Sequence, residues 1–149
     1  MDKNIIIVDI DGTLATIGDR IKYLRQRPKN WDKFYEFCYD DEPITEILDL
    51  VNTLQYAYKV LYVTGRRESV RQKTLMWFND KTNLDVKSKN LLMRNNNDYR
   101  DDFIIKPELI KNRGIHFSQI AFVLEDRNTV VKMWREMGVR CLQVAEGNF

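Results

Sequence analysis

Histidine is almost missing from this 149-residue chain: His116 stands alone, in the loop-like stretch Arg113-Gly114-Ile115-His116-Phe117. A histidine metal cluster and paired-histidine chemistry are excluded, and His116 reads as a surface or packing residue. Cysteine is nearly as scarce. Cys38 and Cys141 lie far apart, and two lone cysteines in a chain of this length are no disulfide framework, so both read as reduced thiols of a cytosolic protein. Six Gly and three Pro are too few for a fibrous or disordered composition. No apolar run is long enough to cross a bilayer, and Met1-Asp2-Lys3-Asn4 leads into only a short apolar stretch before an acid, so neither export nor membrane insertion is signalled. The net charge of +2 is too small to indicate a nucleic-acid partner, which requires a basic patch rather than a positive total. Repeats and low-complexity tracts are also absent.

What remains is 44% hydrophobic and 31% charged residues, the composition of one soluble globular domain over residues 1–149. Ile5-Ile6-Ile7-Val8 is a β-branched apolar run, as in a strand buried on both faces of a parallel sheet. Pro43, then Ile44, Ile47, Leu48, Val51 and Leu54, predict a helix over 44–56. Val60-Leu61-Tyr62-Val63 is a second buried strand stopping at Thr64-Gly65-Arg66, and Val70, Thr74, Trp77 and Phe78 follow at helical spacing. Leu91-Leu92-Met93 reads as a third strand, and Pro107 to Lys111 as the opening of a helix that Lys106 precedes. Ile120 to Leu124 forms the next strand; Val130, Met133, Trp134 and Met137 mark a helix closed by Gly138; Val139 to Val144 is the last strand. The alternation predicts an α/β protein of right-handed βαβ units around a parallel sheet, with ligands outside the carboxyl ends of the strands. Residues 15–43 break the alternation and are expected to form a small flap or cap.

Polar residues at those strand ends carry the chemistry. Asp9 and Asp11, two apart, point to one side of an extended backbone, Gly12 turns the chain away, and Thr13 adds a hydroxyl. One carboxylate could attack phosphorus while the other carries the proton for the leaving oxygen, which requires environments that separate their pKa values; a nearby Mg²⁺ would do much of that. Read alone, the pair also has a lesser reading as a solvated Asp-Gly turn. Thr64-Gly65-Arg66 offers a hydroxyl and a cation to phosphate oxygens, though alone it reads as a helix cap with a surface arginine. Lys106 alone is a solvated charge. Glu125-Asp126, two acids ending an apolar strand, make a hard-cation site when a third carboxylate converges on them. The coincidence of all four outweighs the separate readings.

In this order the motifs resemble those of the haloacid dehalogenase superfamily, which implies a Rossmann-like three-layer fold and a phosphatase. The resemblance makes Asp9 the nucleophile that forms an aspartyl-phosphate and Asp11 the general acid/base. Within the superfamily the likeness is to the phosphatase domain of bacteriophage polynucleotide kinase/phosphatases. It is carried by Thr64-Gly65-Arg66-Arg67-Glu68, by Met93-Arg94 through Asp98-Tyr99-Arg100 to Lys106, and by Glu125-Asp126-Arg127 running on to Met133-Trp134-Arg135 and Gln143-Val144-Ala145. It implies phosphate binding by Thr64, Gly65, Arg66 and Lys106. Mg²⁺ would sit at Asp9, Asp126 and Asp11 or the backbone carbonyl beside it; Thr13, Glu125 and Arg127 would support the site, and Arg20, Arg94 and Arg100 would contact substrate. The fourth motif departs from the frequent Asp-Asp, so Asp126 is the expected metal ligand ahead of Glu125. No Gly-x-x-x-x-Gly-Lys-Ser/Thr occurs, which excludes ATP-dependent 5′-kinase activity from these residues.

Substrate choice turns on the insertion. Arg20, Lys22, Arg25, Arg27 and Lys29, interleaved with Tyr23 and followed by Trp31, Phe34 and Tyr35, combine cations for a phosphate backbone with rings that stack on bases. Trp31, Phe34, Tyr35 and Cys38 also have the spacing of a helix packed on the body. The leading expectation is removal of 3′-phosphates from nucleic-acid ends in the cytoplasm, a host's if the chain is phage-encoded. A kinase or ligase on a separate chain is the expected partner. A mononucleotide or small-molecule phosphatase needs the same core without a groove, and a catalytically idle subunit of a repair complex is the reading that the intact motifs oppose.

Overall fold

A computed structural model describes residues 2–149. Its strands are β1 (Ile5–Val8), β2 (Lys59–Arg67), β3 (Leu91–Arg94), β4 (Ile120–Arg127) and β5 (Cys141–Gly147), and its helices are α1 (Ile21–Leu24), α2 (Trp31–Glu36), α3 (Thr45–Leu54), α4 (Arg71–Lys81), α5 (Asp102–Asn112) and α6 (Asn128–Glu136). The strands form one sheet in the order β3-β2-β1-β4-β5, with every neighbouring pair parallel.

The side-chain alternation of β1 divides the interior in two. Ile6 and Val8 face a core that includes Leu48 and Val51 of α3 and Trp77 and Phe78 of α4, whereas Ile5 and Ile7 face Ile110 of α5 and Val130, Val131 and Trp134 of α6. Both faces of a parallel sheet are thereby covered, which is why β1 reads as a continuous apolar run. Phe34, Tyr35 and Cys38, at the spacing noted above, are buried in the first of these cores. Val8 pairs with Tyr62 on one side and Leu124 on the other, so the apolar runs of β1, β2 and β4 end within a residue of one another and bring the polar residues after them to one edge.

Several boundaries differ from the sequence reading, β5 among them, which runs Cys141–Gly147 rather than Val139 to Val144. β2 and β4 do not stop with their apolar residues but continue as sheet through Thr64–Arg67 and Glu125–Arg127, with a register shift in each extension. Their polar side chains find partners across the strand ends, so solvent does not terminate the strands there. Helix α5 starts at Asp102, a full turn before Pro107, which lies buried inside it. Proline marks a helix start in sequence because its missing N–H costs nothing there. Here it removes one internal hydrogen bond, and the buried Ile105 and Ile110 keep the helix against the sheet. Lys106 therefore projects from within a helix.

Candidate active site

The chain leaves β1 at Val8 and turns at once. The Asp9 amide donates to the Leu124 carbonyl at 3.0 Å, and the Ile10 carbonyl accepts from the amides of Thr13, Leu14 and Ala15 at 2.8–3.1 Å. Gly12 permits this turn for two reasons. Its φ is +82°, and a Cβ there would lie 1.9 Å from Oδ2 of Asp126. The backbone of the first motif thus packs directly against the carboxylate of the fourth.

Asp9, Glu125 and Asp126 are all buried and present one oxygen each within 4.8 Å of the others. Thr13 Oγ1 donates to Asp9 Oδ2 at 3.0 Å, while Lys106 Nζ donates to Asp9 Oδ1 at 2.8 Å and to Glu125 Oε2 at 2.7 Å. Burial, then the charge of Asp9, push the Glu125 carboxyl up to about 8 against the pull of Lys106; burial and the charges of Asp9 and Glu125 push Asp126 up to about 10. Burial disfavours the Lys106 charge, but Asp9 and Glu125 hold its ammonium firmly protonated. Three ionised carboxylates against one lysine would leave an excess of negative charge in a dry place, which is why two of the carboxyls hold protons. A hard divalent cation with oxygen ligands fits that donor set, and in its presence both raised carboxyls would ionise.

Asp11 turns away from this cluster. Arg66 donates to both its oxygens, at 2.7 and 3.0 Å, and Arg20 Nη2 donates to Oδ1 at 2.8 Å. Burial would raise the Asp11 carboxyl, but the Arg66 and Arg20 guanidinium groups outweigh it and hold the group well below the usual carboxylate range. Asp41 joins from the insertion: it accepts from Arg20 Nε at 2.7 Å and from Arg66 Nη2 at 3.3 Å, and burial pushes it up to about 6. Arg66 also donates to Thr74 Oγ1 at 3.1 Å.

A recess of about 20 Å³ opens over these groups, enough for one ion or water. Asp9, Asp11, Thr64, Gly65, Glu125, Asp126 and Arg127 line it, under Trp31, Phe34 and Tyr35. The Thr64 hydroxyl accepts the Arg66 amide at 3.1 Å and keeps its own proton to donate. The structure therefore gathers Asp9, Thr64, Gly65, Lys106, Glu125, Asp126 and Arg127 around one point, but it distributes the other expected residues differently. The Asp11 side chain lies outside the acidic triad, facing two arginines. Arg66, expected on phosphate, stands behind Asp11 and does not line the recess, because two carboxylates hold it there. Arg20, expected on substrate, is buried with its guanidinium on Asp11, Asp41 and the Phe34 carbonyl, 4.3 Å over the Phe34 ring. Arg94, also buried, ties the Gly65 carbonyl to the 98–102 loop. Arg100 is exposed and paired with Asp98 and Glu108. Arg20 and Arg94 therefore brace the walls of the site from within, and Arg100 ties the surface loop to α5.

Asp102, which was not singled out from sequence, accepts from Arg94 at 2.5 Å and from Arg127 at 3.0 Å and lines the recess. A Cβ on Gly65 would meet its Oδ1 at 2.3 Å, so a side chain there would have to displace the Asp102 carboxylate from its arginines. Its position one helical turn before Lys106 was the available signal. Asp41 likewise carries no sequence signal of a site role, and Tyr35, expected as a stacking or packing ring, also donates its hydroxyl to the Gly65 carbonyl at 2.9 Å.

The sequence and the fold have relatives that agree with this geometry. Residues 3–149 match the family model described as the polynucleotide kinase PNKP phosphatase domain. A protein of Autographa californica nuclear polyhedrosis virus, described as a "Putative bifunctional polynucleotide kinase/RNA ligase", is 27% identical over 141 residues, covering 90% of this chain and 18% of that protein. A chain of the Pnkp1/Rnl/Hen1 RNA repair complex superposes with a TM-score of 0.75 at 33% identity, over 98% of this chain and 44% of that one. The chain thus spans less than half the length of either relative. A haloacid dehalogenase family enzyme of Bacteroides thetaiotaomicron, in complex with magnesium and inorganic phosphate, shares the fold at 12% identity, with a TM-score of 0.59 over 98% of this chain and 96% of that enzyme. The chain belongs to the polynucleotide kinase PNKP phosphatase domain family, within the haloacid dehalogenase phosphatases.

Proposed function

We propose that this domain hydrolyses 3′-phosphates at nucleic-acid ends with Mg²⁺, through a phosphoryl group carried transiently on Asp9. One observation carries the reading: Asp9 has one oxygen fixed by Lys106 and the other by Thr13, beside two further buried acids, at the mouth of a recess. That is how a carboxylate is held ready to attack rather than to stabilise a fold. Asp9, Asp126 and Glu125 would hold the ion, which when bound supplies screening between the attacking carboxylate and the anionic ester.

In the first step Asp9 forms a bond to phosphorus, the bond from phosphorus to the sugar oxygen breaks, and Asp11 gives that oxygen a proton. In the second, Asp11 takes a proton from water, whose oxygen attacks phosphorus and releases the Asp9 carboxylate. Asp11 begins too acidic for the first of these tasks because of its two arginines. A phosphate dianion entering beside it is a like charge and raises its pKa, so substrate itself prepares the acid. Thr64 and Arg127 donate to the non-bridging oxygens, Arg66 and Arg20 orient Asp11, and residues 15–43 act as a flap through Trp31, Phe34 and Tyr35. Relatives that include an RNA repair complex and a kinase/ligase support a nucleic-acid end as the substrate and a separate ligase or kinase as the partner.

The test is a substrate panel. With Mg²⁺, 3′-phosphorylated oligonucleotides should release phosphate and outpace nucleoside monophosphates; a chelator should stop the reaction, and Asp9→Asn should abolish it while melting at a temperature close to wild type. Preferential turnover of nucleoside monophosphates would replace the nucleic-acid reading with a mononucleotide one. Near-normal activity in Asp9→Asn would remove the nucleophile.

A further inference from the structure

Arg67 follows Arg66 on β2 but takes the opposite side of the strand, toward solvent. Its guanidinium carbon lies 5.6 Å from the Tyr35 ring centre and 5.1 Å from that of Tyr99, within cation–π reach of both. Nη1 pairs with the Asp32 carboxylate, whose side chain is 85% exposed. Nε is buried and, among the described residues, has no hydrogen-bond partner. An oriented cation with an unmet buried donor and only an exposed, exchangeable acid partner is prepared for a ligand anion.

The surroundings say which anion. Trp31, Tyr35, Asp102 and Arg127 border both the recess over Asp9 and an adjoining cavity that Arg67 and Tyr99 help to enclose. Past Arg67, Trp31 and Tyr99, that cavity meets an open groove of about 750 Å³, a volume within the roughly 300–1,000 Å³ of small-ligand clefts, with Arg27 and Lys29 on its wall. Tyr99 is 74% exposed, so its ring offers a stacking surface that no core packing explains. Cations spaced along a groove with rings between them suit a sugar-phosphate strand rather than a lone phosphate.

We infer that this path is the subsite for the nucleotide next to the one bearing the scissile phosphate: its phosphodiester is taken side-on by Nε and Nη2 of Arg67, the edge away from Asp32 on Nη1, and its base stacks on Tyr99. This rests on the nucleic-acid reading above and adds the residues that would select a strand over a mononucleotide.

The experiment measures kcat/KM with Mg²⁺ on a 3′-phosphorylated trinucleotide and on a nucleoside 3′-monophosphate, and takes their ratio. Wild type should favour the trinucleotide by about tenfold or more, the scale of one base-ring contact. Tyr99→Ala and Arg67→Ala should each lower that ratio by a similar factor, through KM, while Tyr99→Phe keeps it. Arg67→Lys, which retains charge but not the side-on geometry, should lower it in part, and Arg67→Ala should also weaken the salt dependence of trinucleotide KM. If wild type turns over both substrates and the ratio is near one, or does not move in Tyr99→Ala and Arg67→Ala, the subsite is wrong and the groove serves something else. If wild type hydrolyses neither, the function proposed above fails, and the subsite with it.

Discussion

Arg66 grips Asp11 side-on, Nε to Oδ2 at 3.0 Å and Nη2 to Oδ1 at 2.7 Å, so the proposed acid and the cation expected for phosphate are bound to each other. This pair makes stability depend on pH with a definite sign. The unfolded chain binds a proton at Asp11 near its ordinary 3.8, whereas the folded protein does so only at lower pH. Stability from the pair is complete above the unfolded value and is lost as pH falls through the folded one. Melting curves between about pH 5 and about pH 2 should fall more steeply for wild type than for Asp11→Asn. Parallel curves would mean that Arg66 and Arg20 do not depress Asp11.

The acidic cluster of Asp9, Glu125 and Asp126 has the opposite sign. Without a cation, folding keeps protons on Glu125 and Asp126, raised to about 8 and about 10, that the unfolded chain releases. Their contribution to stability is therefore present at low pH and declines as pH rises from near 4 through the folded values. In chelator the protein should melt at progressively lower temperature from about pH 5 to about pH 8, and saturating Mg²⁺, worth about 2.7 kcal/mol at a hundred times its Kd, should restore most at the upper end. A magnesium effect that does not grow with pH would argue against these acids as ligands.

Lys106 holds Asp9 and Glu125 apart with one buried ammonium. Replacing it with Met keeps the stem and leaves two uncompensated carboxylates, a change that costs roughly 3–5 kcal/mol in buried pairs. Lys106→Met should unfold at markedly lower denaturant in chelator, gain more from Mg²⁺ than wild type does, and lose at least about a hundredfold in turnover through a misplaced Asp9. Wild-type stability in chelator would show that Lys106 does not neutralise the cluster.

Gly12→Ala tests the contact between the first and fourth motifs. Its Cβ would collide with Asp126 at 1.9 Å from a backbone at φ +82°, so loss of stability by about 1–3 kcal/mol should accompany loss of the Mg²⁺-induced melting shift. Retention of that shift would show that Asp126 can move without cost to metal binding.

Buried strands that end in acids were legible in the sequence because apolar runs such as Ile5–Val8 and Ile120–Leu124 stop abruptly, and the residues that stop them must lie at the sheet edge. The alternation of strand and helix followed from the same runs. What was hidden depends on pairing across the chain. Arg66 meets Asp11 over 55 positions and Arg20 meets Asp41 over 21, so nothing local distinguishes these arginines from phosphate binders. Asp102 was lost among the acids and arginine of the 98–102 loop, and Pro107 masked the true start of α5. Arg67 carries no separate signal beside Arg66, although strand alternation sends the two to opposite faces.

The proposed chemistry requires Asp9 to carry the phosphoryl group. Wild-type protein with Mg²⁺ and a 3′-phosphorylated oligonucleotide, quenched in acid during turnover and digested, should yield a peptide heavier by one phosphoryl group at Asp9, lost on mild alkali and absent from Asp9→Asn. Rapid phosphate release with Asp9 unmodified at every quench time, or the phosphoryl group on another residue, would contradict it.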